Sequence, residues 1–170
     1  MLISHSMGTI IAYDVLTFLA PEIKINTFIT MGSPLALPVV ISKIADEYKQ
    51  RGVELNKVRT PPGVTKNWYN FSDILDNVAF NYKLSDYYSE NDYGVKPVDI
   101  LVTNNYESNG IRNPHKSFGY LRTPGFSKIL YDFILAEKLS FKQKVSRQII
   151  RVTDNIKSLV APGKRKEYMP

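Results

Sequence analysis

The chain has 170 residues, 44% of them apolar and none of them cysteine, with a formal charge of +6. This length supports one domain with a real core, and the lack of cysteine excludes disulfides and thiolate chemistry. The longest apolar stretch, Phe28 to Ile41, is broken by Gly32, Ser33, Pro34 and Pro38, so no segment reads as a membrane-spanning helix. The charge is uneven. Lys138 to Pro170 carries nine Lys/Arg and two Asp/Glu, net +7, and the remainder is at −1. That distribution argues against nucleic-acid binding by the body of the protein. No secretory leader is legible, and a cytoplasmic location is the expectation.

Leu2-Ile3 is a short apolar stub. Ser4-His5-Ser6-Met7-Gly8 follows at once, ahead of the helix-like run Thr9 to Leu16. A strand that stops, a sharp turn at a serine and an immediate helix lift the Ser6 side chain above a sheet edge, at the positive end of the helix. The N–H of Met7 then points to where an oxyanion would form. A crowded turn needs small residues two before and two after the serine. Gly8 fits, and Ser4 stands where glycine is usual.

Met7 to Leu19 reads as a helix with Ile10, Ile11, Val15 and Phe18 on one face, stopped by Pro21. Ile25 to Met31 is a buried strand, ended by Gly32-Ser33-Pro34. Strand, helix and strand form a right-handed βαβ unit and a parallel sheet. Ligands in such sheets sit at the C-terminal strand ends, so Gly32 to Leu35 is expected to border a cleft. Leu37 to Arg51 is a second helix, with Gly52 as its stop. Val53 to Val64 is polar and turns at Pro61-Pro62-Gly63, and Lys66 to Phe71 is the next strand. Asp73 and Asp76 follow it; either serves as an acid or simply shapes the turn. Phe80 to Lys96 is rich in tyrosine without a clean period, which suits a cleft wall or a loop packed on the body. Val98 to Thr103 is the last strand, and the polar loop Asn104 to Pro114 turns at Ser108-Asn109-Gly110. His115 then stands out, because the chain has only two histidines. His5 adjoins Ser6, and neighbouring side chains at a tight turn diverge, which leaves His115 as the only candidate for an imidazole base, although a lone loop histidine is usually just solvated. Phe126 to Lys138 is a closing helix. Phe141, Val145, Ile149, Val152, Ile156 and Leu159 continue as an amphipathic helix ringed by Lys and Arg, before the basic cluster Lys164-Arg165-Lys166. Such a segment packs on its own body, or makes a peripheral membrane or protein contact through 139–166. It has few aromatics to stack on bases, so no nucleic acid is expected.

Ile3-Ser4-His5-Ser6-Met7-Gly8 resembles the nucleophile elbow of the α/β-hydrolase superfamily. Thr30-Met31-Gly32-Ser33-Pro34-Leu35 is similar to the strand end after the elbow helix in lipase- and esterase-like members. Asp76-Asn77-Val78-Ala79 resembles the loop of the triad acid, with Asn for Pro. His115, after the last strand, occupies the slot of the family's histidine. The order Ser6, Asp76, His115 is that of the superfamily triad. The resemblance covers roughly residues 1–135 and stops at the tail, so the expected division is 1–138 and 139–170. It implies an α/β fold: the C-terminal half of an α/β hydrolase, mostly parallel sheet flanked by helices. The front half is expected to be absent, because the elbow sits mid-fold in that family. It also implies a lipase-like serine esterase acting on a small-molecule or lipid-like ester. Ser6 is then the nucleophile, His115 the base and Asp76 the acid, with Asp73 as the alternative acid. The backbone of Met7 supplies one oxyanion donor, and the second lies on the absent part. No cofactor is expected, and two histidines with no cysteine argue against a zinc site. The rival reading is a truncated or non-catalytic module that binds a partner or an anionic membrane surface through the basic tail.

Overall fold

The computed structural model describes residues 1–138, together with Ser146, Ile149, Ile150 and Thr153. The amphipathic pattern after Leu139 and the cluster Lys164-Arg165-Lys166 otherwise lie outside the described residues. Two compact units divide the chain, Met1–Ser127 and Lys128–Pro170. Among the described residues no helix is long and apolar enough to cross a membrane.

The first unit is mixed α/β. Its strands are β1 (Leu2–His5), β2 (Ile25–Met31), β3 (Val58–Arg59), β4 (Val64–Ser72), β5 (Tyr88–Ser89), β6 (Pro97–Leu101), β7 (Glu107–Ser108) and β8 (Ile111–Arg112). The helices are α1 (Gly8–Asp14), α2 (Pro38–Gln50), α3 (Ser117–Leu121) and α4 (Pro124–Lys138), the last running on into the second unit. The central sheet has the order β1-β2-β4-β6, and every neighbouring pair in it is parallel. All four strands therefore end on one edge, where the chain departs into Ser6, Gly32, Asp73 and Val102. The ladder reaches past the strands there: Ser6 N–H bonds Met31 O, Gly32 N–H bonds Phe71 O and Val102 N–H bonds Ser72 O, each at 3.0 Å.

Alternation along the strands gives the sheet two buried faces. Phe28 and Trp68 stand opposite each other on one face, their ring centroids 5.3 Å apart. With Tyr13, Leu16, Leu35, Ile44 and Tyr88 they build the main core, which α1 and α2 cover. Phe71 points to the other face and meets Phe126, at the start of α4, edge to face at 6.0 Å.

The differences from the expected elements have local causes. The elbow helix does not run evenly to Leu19; α1 gives way to a π-helical turn, Val15–Leu19. The third long strand starts at Val64, not Lys66, because Val64 already pairs with Ile25. The polar stretch Val53 to Val64 is anchored in the body: β3 pairs with β5, and Val58 and Thr60 are buried. The tyrosine-rich segment packs as well. Tyr88 is buried against Tyr13 and Trp68, and its hydroxyl donates to Leu35 O at 3.0 Å. Loop 104–114 holds the hairpin β7–β8, whose turn residues Asn109 and Gly110 have φ of +53° and +74°, as a primed turn requires. Helix α3 went unforeseen, since five residues are too few to display a period.

Candidate active site

The site starts from a strained serine. Ser6 follows β1 directly and has φ +55°, a left-handed conformation that costs a residue with a side chain energy. Its surroundings hold it there. Ser6 N–H is bonded to Met31 O, and Ser6 O accepts from Thr9 N at 2.9 Å and Thr9 Oγ1 at 2.7 Å. Thr9 is fully buried, and its hydroxyl also lies 2.8 Å from Ser33 Oγ, beyond the end of β2. Ser4, where glycine is usual, places its hydroxyl on Ile29 O at 3.2 Å. Gly8, expected to relieve crowding, stands in open space: a Cβ there would meet nothing within 4 Å. Met7 is the N-cap of α1, so its N–H has no partner inside the helix.

The structure brings Ser6, His115 and Asp76 together. Ser6 Oγ is 2.9 Å from His115 Nε2. His115 Nδ1 is 2.9 Å from Asp76 Oδ2 and 3.0 Å from Oδ1. A buried carboxylate on Nδ1 sets the tautomer: Nδ1 donates to Asp76 and Nε2 accepts from Ser6. Asp76 is wholly buried, and the His115 side chain is 29% exposed. Asp76 Oδ1 also accepts Val78 N at 2.9 Å, so the residue shapes its own turn as well as facing the histidine.

Asp73, the alternative acid, is engaged elsewhere. Its Oδ1 accepts Leu75 N at 2.8 Å, and its Oδ2 accepts Asn104 N at 2.6 Å and the Arg112 guanidinium at 2.8 Å. It anchors the loop that leads to His115 and does not touch the imidazole. His5, set aside as a base, is part of the site. Its ring lies against that of His115, centroids 4.7 Å apart, and its Nε2–H donates to His115 O at 2.7 Å. Burial, followed by the neighbouring His115 charge, pushes the His5 imidazole below its usual range, partly offset by that hydrogen bond.

Tyr120 escaped the sequence reading. Its hydroxyl donates to Asp76 Oδ2 at 2.7 Å and accepts from Asp73 N at 3.0 Å. Burial, then the bond to Asp76, drives its phenol far above the usual range. The only sequence signal was an aromatic five residues past the histidine. Gly32, expected at the cleft border, lies against the catalytic-type pair itself. It has φ +52°, and a Cβ there would stand 2.8 Å from Asp76 Oδ2 and 3.1 Å from His115 Nδ1. Glycine is required both for the backbone and for the approach.

Exposed apolar side chains lie close to the three residues in the chain: Met7 next to Ser6, Ile74 and Leu75 just before Asp76, and Phe118 three positions after His115. A groove of about 400 Å³ lies between α1 and α2, lined by Ile10, Phe18, Val39 and Ile44 among others. Ile10 is one helical turn from Ser6, but none of Ser6, Asp76 and His115 lines that groove. Among the described residues no cluster of His, Cys, Asp and Glu could hold a metal ion. No protein-family model, no curated protein and no solved structure matches the chain.

Proposed function

We propose that the chain is a serine hydrolase that cleaves carboxylic esters, built on the C-terminal portion of an α/β-hydrolase fold. The observation that carries this reading is the continuous contact from Ser6 through His115 to a buried Asp76. The serine's left-handed backbone, between a parallel strand and a helix, supports it.

In the proposed reaction Ser6 Oγ attacks the ester carbonyl carbon while His115 Nε2 takes the serine proton. The tetrahedral intermediate then expels the alcohol, which receives that proton from His115. Water, deprotonated by His115, attacks the acyl-enzyme and releases the acid and Ser6. Asp76 holds the imidazole in the reactive tautomer and stabilises the imidazolium. The Met7 N–H contributes one oxyanion contact, an interaction of a kind worth about a hundredfold to a thousandfold in turnover. Exposed Met7, Ile74, Leu75 and Phe118 favour an ester with an apolar, lipid-like acyl group.

Labelling with a fluorophosphonate tests the reading. The wild-type chain is expected to be phosphonylated at Ser6 and to hydrolyse a p-nitrophenyl ester, and Ser6→Ala to do neither. Turnover that survives Ser6→Ala overturns it. The rival, a binding module acting through its tail, instead predicts an unreactive Ser6 and a ligand lost on charge reversal of Lys164-Arg165-Lys166.

A further inference from the structure

Three consecutive backbone carbonyls, those of Pro114, His115 and Lys116, are each bonded by a side chain from elsewhere. Asn104 Nδ2 donates to Pro114 O at 2.7 Å and to Lys116 O at 2.8 Å. His5 Nε2–H donates to the carbonyl between them, His115 O, at 2.7 Å. Loop carbonyls are ordinarily left to water or to nearby turns. Here the peptide groups on both sides of the His115 Cα are held.

Both donors are themselves fixed. Asn104 is fully buried. Its Oδ1 accepts Tyr106 N at 3.1 Å, which directs the amide's two hydrogens to the two carbonyls. Its own N–H is tied to Asp73 Oδ2. Gly119 leaves the room, since a Cβ there would land on the Asn104 amide. His5 is the last residue of β1, so the strand that presents Ser6 also grips the loop that presents His115. Its ring lies against the His115 ring on one side and is 6.2 Å from that of Tyr120. The bond to a carbonyl fixes its Nε2–H tautomer.

We propose that His5 and Asn104 are positioning residues that clamp backbone 114–116 and so aim the His115 imidazole between Ser6 and Asp76. Neither touches a reacting atom. Their effect on rate rests on the acyl-transfer reading above, but their effect on the imidazole does not.

Three variants separate donor from bulk. His5→Phe keeps a flat ring against His115 and loses the donor. His5→Gln returns an N–H at comparable reach. Asn104→Asp keeps the oxygen for Tyr106 N and replaces both donated hydrogens by an acceptor. Two quantities are read: the phosphonylation rate of Ser6, and the His115 Nδ1 proton resonance in imidazole ¹⁵N spectra. With two histidines in the chain, His5→Phe leaves a single imidazole and an unambiguous assignment. His5→Phe and Asn104→Asp are expected to slow labelling by about tenfold to a hundredfold, as a misaimed base does. They should leave the probe's saturation constant unchanged and broaden the Nδ1 proton. His5→Gln is expected to restore both. A His5→Phe protein with wild-type rate and resonance overturns the proposal, as does a folded His5→Gln as impaired as His5→Phe. If the wild-type chain does not label, the acyl-transfer reading fails while the resonance still decides the clamp. If Asn104→Asp does not fold, the two His5 variants decide it.

Discussion

Replacing Tyr120 by Phe deletes one oxygen from the buried end of the site and keeps the ring. That oxygen makes two bonds: to Asp76 Oδ2 at 2.7 Å, and from Asp73 N at 3.0 Å. Asp76 is fully buried and Asp73 nearly so, so solvent is poorly placed to replace either partner. A hydrogen bond to a charged group contributes about 1.5–3 kcal/mol, and stranding a buried N–H costs about 1–3 kcal/mol. Together they come to about 2.5–6 kcal/mol, with little cavity term because the ring volume stays. For a unit of this size each kcal/mol lowers Tm by about 3 °C, so Tyr120→Phe should melt roughly 7 °C or more below wild type. Thermal and urea unfolding at pH 7 measure this, with the urea slope checked so that a changed denatured state is not mistaken for lost stability. A Tm drop of under about 2 °C would mean that the Tyr120 hydroxyl holds neither Asp76 nor Asp73 N–H, because either bond alone accounts for more.

The two aspartates should separate. Asp76→Asn is expected to slow Ser6 phosphonylation by about a thousandfold or more, because the amide favours the wrong imidazole tautomer. Asp73→Asn is expected to lower Tm, by weakening the Arg112 pair, while Ser6 still labels far faster than in Asp76→Asn; equal losses would count against Asp76 as the orienting acid. Gly32→Ala should destabilise by at least about 1–3 kcal/mol from its left-handed backbone alone and abolish labelling, since the new methyl displaces Asp76 and His115; both are read on the same purified variant. At acid pH the sign follows from His5, which faces His115, Asp76, Lys116 and Tyr120. Its folded-state pKa is lowered, so below about pH 6.5 the unfolded chain binds more protons and stability falls as pH falls; a Tm series from pH 7 to 5 should be flatter for His5→Phe. At alkaline pH the buried phenols of Tyr13 and Tyr88, both raised by burial, resist ionising in the fold, so stability falls as pH rises above about 10, less steeply in Tyr88→Phe.

How much was legible depended on how local each signal was. The elbow is a pattern of a few adjacent residues: an apolar stub, a serine between small side chains, and a helical run. The turn at Asn109-Gly110 and the strand from Ile25 to Met31 were legible for the same reason. Sequence also narrowed the imidazole to His115, since the chain holds two histidines and one adjoins the serine. It went astray where crowding had to be inferred without neighbours, as at Gly8, and the polar composition of Val53 to Val64 gave no sign that Val58 enters the core.

Local residue patterns specify the alternation of strands and helices, the turn that presents Ser6, and the order in which serine, aspartate and histidine appear. The folded arrangement is what sets Asp76 against the imidazole and Asp73 against Arg112 and Asn104. It alone brought Tyr120 onto Asp76, and His5 and Asn104 onto the His115 loop. These contacts join residues far apart in the chain, such as His5 at the end of β1 and His115 in the loop before α3, 110 positions apart. Strand order and register set such distances, and no local pattern of residue types encodes them.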